Sequence, residues 1–131
     1  MKTIQYLLLI SILLAGASSN AEPLFNAVSD QGSNLQINSS LQPLAINQMH
    51  SWELRFTDPG GKPITGARVE FQGGMPLHNH GLPTAPVITG EIEPGLYLLE
   101  GMRFHMPGDW EISIHIEHEG RQENFTLQLS L

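Results

Sequence analysis

Two histidines and a methionine fall within the short run Met75-Pro76-Leu77-His78-Asn79-His80, and Met102, His105 and Met106 follow in a second stretch punctuated by glycine and proline. Imidazole nitrogen and thioether sulfur are the donor pair that suits copper: histidines accommodate Cu(II) and methionines retain Cu(I). One residue separates His78 from His80, so on extended backbone their side chains project to the same side and can chelate one ion. Pro76 stiffens the approach from Met75. Glycines 73, 74 and 81, with Pro83 and Pro86, limit the conformations of the loop and lower the entropy of organising a site.

The second stretch has a different geometry. If Met102 to Met106 is extended, Met102, Phe104 and Met106 share one face and Arg103 and His105 the other. His105 and Met106 then reach one metal only where the Pro107-Gly108 turn bends the chain. The expected ligand set is therefore His78, His80 and His105, completed by a methionine, with Met106 and Met75 ranked ahead of Met102. Copper as Cu(I), Cu(II) or both is the expected cofactor; zinc is the weaker alternative, because it accepts the histidines and gains little from a thioether.

The same residues also fit plainer roles. Methionines flanking Phe104 can simply fill a core, and His-Asn-His can be a solvated turn. His50 reads as a strand cap. His115 and His118 read as wet-face residues beside Glu117 and Glu119, where a second, weak metal site is the remaining option. The chain has no Gly-x-Ser-x-Gly elbow, no His-Glu-x-x-His helix and no cysteine nucleophile, so an enzyme is not expected. Glu91 and Glu93 share a strand face, but two acids at that spacing read as solvated.

The elements that must position these donors begin after an export signal. Lys2, the apolar run Tyr6 to Leu14 and the small residues Ala15 to Ser19 form a secretory signal pattern, with cleavage expected after Ala21. The apolar run falls short of the ~20 residues a membrane span needs, so no stable membrane insertion is expected after cleavage. Residues 1–21 are thus a signal peptide, 22–42 a flexible Ser/Asn/Gln-rich lead-in with a short edge strand at Leu35 to Ile37, and 43–131 the folded domain. With no cysteine in an exported chain, stability must come from packing and thiolate ligands are excluded.

Without Lys2, the basic side chains Arg55, Lys62, Arg68, Arg103 and Arg121 face thirteen acidic ones, one unit more negative than the −7 of the whole chain. Such a surface repels phosphate backbones and anionic lipid, so nucleic acid is not an expected partner. The expected partners are the metal ion and a copper-receiving periplasmic or membrane protein.

Along the domain the hydrophobic period is two. Trp52, Leu54 and Phe56 alternate with polar residues, as do Ala67, Val69 and Phe71, and Trp110, Ile112, Ile114 and Ile116, and then Phe125, Leu127, Leu129 and Leu131. Further strands are expected at Val87 to Glu93 and Leu96 to Glu100. Turn signals stand at Asp58 to Pro63, Pro94-Gly95 and Glu119-Gly120. No sustained helical period occurs after residue 21. About seven short strands argue for an all-β, antiparallel, immunoglobulin-like sandwich. Gly95-Leu96-Tyr97 has the form of a tyrosine corner, and Gly108-Asp109-Trp110 starts a strand with a residue able to plug the core.

The ordered set Met75-Pro-x-His78-x-His80-Gly-x-Pro-Thr, Gly95-x-Tyr97 and Gly101-Met102-x-Phe-x-Met106-Pro-Gly-x-Trp110 resembles the YtkA-like and FixH-like group of small exported bacterial domains. The resemblance spans about Met49 to Glu117. It implies a periplasmic or cell-surface immunoglobulin-like fold associated with copper handling or with assembly of copper-containing respiratory enzymes, and it bears mainly on His78, His80, Met75 and Met106. The function expected is that of a periplasmic copper carrier, buffer or delivery factor. The alternative is a non-catalytic extracytoplasmic module that recognises a protein or glycan, its histidines incidental.

Overall fold

The computed structural model describes residues 22–131, so the expected signal peptide lies outside the described residues. One antiparallel sheet contains β1 (Phe25–Val28), β2 (Asn34–Ser39), β3 (His50–Thr57), β6 (Val87–Glu93) and β7 (Leu96–Met102), in the order β1-β2-β3-β7-β6. The other contains β4 (Arg68–Met75), β5 (His80–Gly81), β8 (Asp109–His118) and β9 (Arg121–Ser130), in the order β5-β4-β8-β9. Between β4 and β5 the chain makes a single 3-10 turn, Pro76–His78. The expected all-β sandwich is present, with nine strands among the described residues instead of about seven; β1 and the two-residue β5 account for the surplus.

Alternation explains the core. Trp52, Leu54 and Phe56 from β3 meet Trp110, Ile112, Ile114 and Ile116 from β8 and Phe125 from β9, each no more than 1% exposed. Strands with one face buried and one wet leave only one register that keeps these side chains inside. β8 and β9 accordingly pair without a slip from Asp109↔Ser130 to His118↔Arg121. Their connection, Glu119-Gly120, takes positive φ at both residues, 48° and 72°. That is the turn whose twist matches a two-residue hairpin.

The amino-terminal boundary differs from the one expected. Residues 22–42 are not a flexible lead-in: they carry β1 and β2, and Leu35 and Ile37 are fully buried. β2 is also not an edge strand, since β1 pairs with it on one side and β3 on the other. Polar composition concealed this segment because its few inward residues are set among Asn, Gln and Ser.

The far end of the sandwich is closed by polar contacts. Tyr97 Oη donates to the Ile64 carbonyl and accepts from the Ala67 amide, both at 2.9 Å, which makes the expected corner. Burial pushes this phenol above its ordinary pKa. Glu91 and Glu93 are both engaged, Glu91 accepting from the Gly66 amide and Glu93 facing Arg55 at 3.5 Å. His118 is not a wet-face residue. It continues the inward parity of Ile116, and its Nε2 lies 3.7 Å from the buried carboxylate of Glu123. His115 does face out, bonded to Asn124. Among the described residues no helix is long and apolar enough to cross a membrane.

Candidate metal centre

The first turn of donors is set by the parity of β4. Val69 and Phe71 point inward, so Met75 does too, and it lies 1% exposed instead of in the loop where the sequence placed it. The 3-10 turn begins at Pro76 and ends on Asn79, whose left-handed φ of 52° reverses the chain into β5. That reversal pairs His80 with Met75. Directly opposed residues of an antiparallel pair point to the same face, with Cβ atoms about 4.5–5.5 Å apart. The pairing therefore sets His80 beside the thioether and turns it inward. His78 stays exposed on the turn, its ring 5.9 Å from that of His80 and nearly parallel to it. The backbone between them is not the extended one expected, yet the two rings face each other.

The second turn is anchored from below. Met102 ends β7 fully buried, Phe104 is also fully buried, and Gly108 exchanges two backbone hydrogen bonds with Leu131. Trp110 Nε1 donates to the Met106 carbonyl at 3.0 Å, which ties the turn to the start of β8. His105 lies on the opposite side of the chain from Phe104 and is half-buried. Its ring centre is 5.7 Å from that of Trp110 and 5.1 Å from that of His80, which itself lies 6.0 Å from Trp110. Met75 closes the arrangement. Its methyl carbon would come within 2.9 Å of a Cβ on Gly108, so the thioether of the first turn touches the second, and a side chain at 108 would displace it.

Two nitrogens at this rim have no partner. His80 Nδ1 lies 3.1 Å from the Gly81 carbonyl, and since a carbonyl only accepts, Nδ1 carries the proton and Nε2 holds the free lone pair. That Nε2 and His105 Nδ1 are both shielded from solvent without a hydrogen-bond partner. An orphaned buried polar atom costs about 1–3 kcal/mol, which a bound ion removes. An ion held at ~2.0 Å by a ring nitrogen sits about 3.1 Å from that ring's centre, so two imidazoles on a tetrahedral ion have centres about 5.1 Å apart, and wider angles bring this to about 6 Å. The His80–His105 separation matches the tetrahedral value, whereas His78 and His80 lie face to face at 5.9 Å, an arrangement that does not aim both nitrogens at one ion. Among the described residues, no group of three or more His, Asp or Glu side chains is placed to hold a metal ion. Ring rotation, free at the exposed His78, is the adjustment that ligation requires.

The fold thus brings His78, His80, His105 and Met75 to one rim. Met106 is half-buried against the core next to its engaged carbonyl. Met102 is not at this rim: it lies opposite His50 at the ends of β7 and β3. Two residues that the sequence did not single out for the site now border it. Trp110, expected as a core plug, presents its ring to both histidines. Glu111 lines an open groove on the outer side of β4 together with His80, Asn79 and Ser113. The parity of β8 announces that Trp110 and Glu111 face opposite ways, but nothing local shows which loops lie above them.

A family model described as YtkA-like matches residues 29–115, about two thirds of the chain, and bears out the YtkA-like part of the resemblance drawn from the motifs. No curated protein and no solved structure matches the chain.

Proposed function

We propose that this protein, which belongs to the YtkA-like family, is a periplasmic copper-binding protein that carries, buffers or delivers the ion. Membership of the family points to a small extracytoplasmic domain, and copper is the step we add. The observation that carries it is the pair of solvent-shielded, unpartnered nitrogens, His80 Nε2 and His105 Nδ1, on rings 5.1 Å apart.

In this reading His80 and His105 hold the ion, His78 swings in from the loop, and Met75 supplies sulfur from the cross-strand position beside His80. The mixed set suits both oxidation states: imidazoles alone serve Cu(II), and the thioether favours Cu(I). Zinc gains nothing from Met75. The Gly81 carbonyl acts on the ligand through its other nitrogen, fixing the tautomer and the orientation of His80. Trp110 and Phe104, 5.1 Å apart, form an apolar floor that keeps water from the inner side. The partner implied is a copper-receiving periplasmic or membrane protein, which would meet the ion from the loop side, where His78 and Leu77 are exposed.

Equilibrium dialysis of the mature, untagged protein against Cu(I) and against Cu(II) tests the assignment. Binding is expected in the parent and is expected to be lost from the rim in the His80→Ala/His105→Ala variant. A double variant that binds both ions as the parent does would remove this site from consideration.

A further inference from the structure

A second imidazole is buried where the rim site does not reach. His50, at the first position of β3, is 7% exposed. Its Nδ1 lies 3.0 Å from the Gln48 carbonyl, so this nitrogen carries the proton and Nε2 keeps its lone pair. That Nε2 is shielded from solvent and has no hydrogen-bond partner. The ring packs between Phe104 and Trp52, with centres 5.8 and 6.3 Å away. Across the strand pair, its register partner is Met102, 0% exposed. The register slips just after His50, between His50 and Ser51, so Gly101 is left unpaired and Met102 comes opposite the histidine.

The geometry points to a second, inner site for a soft monovalent d10 cation, Cu(I) or Ag(I), held between His50 Nε2 and Met102 Sδ. Three features select that class. The two donors are neutral, one a nitrogen and one a polarisable sulfur, and two-donor sets of this kind suit Cu(I) rather than harder divalent ions. The neighbours Trp52 and Phe104 are aromatic, so their faces can lie against a cation and no carboxylate is needed. The Gln48 carbonyl already fixes the tautomer, which leaves the His50 Nε2 lone pair free beside Trp52, whose own Nε1 is also buried without a partner. This inner pair does not depend on the rim reading. Phe104 lies between the two sites, its ring packing against His50 on one side and Trp110 on the other.

Silver(I) titration of the mature protein in chloride-free buffer, read by metal analysis after desalting and by nitrogen NMR of the histidine rings, separates the two sites. About two equivalents are expected in the parent, about one in His80→Ala/His105→Ala, and about one in Met102→Leu. Met102→Leu keeps the buried volume, and so tests ligation without opening a cavity. In the parent, the His50 Nε2 resonance is expected to move by tens of parts per million on addition of silver while Nδ1 stays protonated, a readout that requires no variant to fold. An unmoved His50 Nε2 at saturating silver, or a Met102→Leu protein that binds as much as the parent, overturns the inner site. A parent that binds about one equivalent, unchanged in His80→Ala/His105→Ala and lost in Met102→Leu, refutes the rim and leaves the inner site standing.

Discussion

Met75 is where packing and ligation can be told apart. The residue is 1% exposed, touches the Gly108 turn with its methyl group, and stands opposite His80 in the β4–β5 register. Truncation to alanine would remove the thioether and leave a cavity, and would cost about 2–5 kcal/mol whether or not the sulfur ever met a metal. Met75→Leu avoids that ambiguity. It conserves volume, so less than about 1.5 kcal/mol of stability should be lost. If the sulfur is a Cu(I) ligand, the same substitution should weaken Cu(I) binding about tenfold or more, equivalent to ~1.4 kcal/mol or above. Cu(II), held by the imidazoles, should bind nearly as before. The assay is competition for Cu(I) against a chromogenic chelator, with urea unfolding of both apo proteins as the control for packing. An unchanged Cu(I) affinity in a variant of near-parental stability would show that Met75 is core filler and that the rim is a histidine site alone.

Other substitutions test the frame that holds the site. Tyr97→Phe keeps the ring and deletes the hydroxyl that joins Ile64 to Ala67; it should cost about 1–3 kcal/mol in urea unfolding while copper binding stays intact. Gly95→Ala should be worse than a typical surface change, because φ is +76° and the new Cβ would sit 2.8 Å from the Phe56 carbonyl oxygen; a loss of at least ~1–3 kcal/mol is expected by thermal unfolding. Hydrogen bonds from Asn124 hold the Asp30 carboxyl below its ordinary pKa. The stabilisation is therefore complete above the ordinary carboxylate range and disappears as pH falls through the lowered value. The gap in melting temperature between parent and Asp30→Asn should accordingly shrink on acidification, and a gap that widens would contradict the sign. Saturating copper at about 100 times Kd should raise the stability of the parent by about 2.7 kcal/mol, visible as a melting shift of several degrees that the His80→Ala/His105→Ala variant lacks if the rim is the main site.

Much of the fold was legible because alternation is a local property. Trp110 to Ile116 and Trp52 to Phe56 declare their inward faces with no knowledge of their partners, and Glu119-Gly120 and Asp58 to Pro63 mark where the chain must turn. The same logic failed at residues 22–42, where polar positions outnumber apolar ones and only burial of Leu35 and Ile37 by neighbours distant in sequence reveals a strand. It failed again at His118, which obeys the parity of its strand although its type suggested water.

The sequence by itself determined which side chains are available to a site, imidazoles and thioethers without thiolates on two turns, and after residue 21 a hydrophobic period that favours sheets. Which donors meet was decided by the tertiary structure alone. Register places Met75 against His80 and Met102 against His50, and sheet packing brings His105 over Trp110 to within 5.1 Å of His80. The physical reason is that side-chain type is written residue by residue, whereas proximity between residues 80 and 105 exists only after two sheets have buried a shared core.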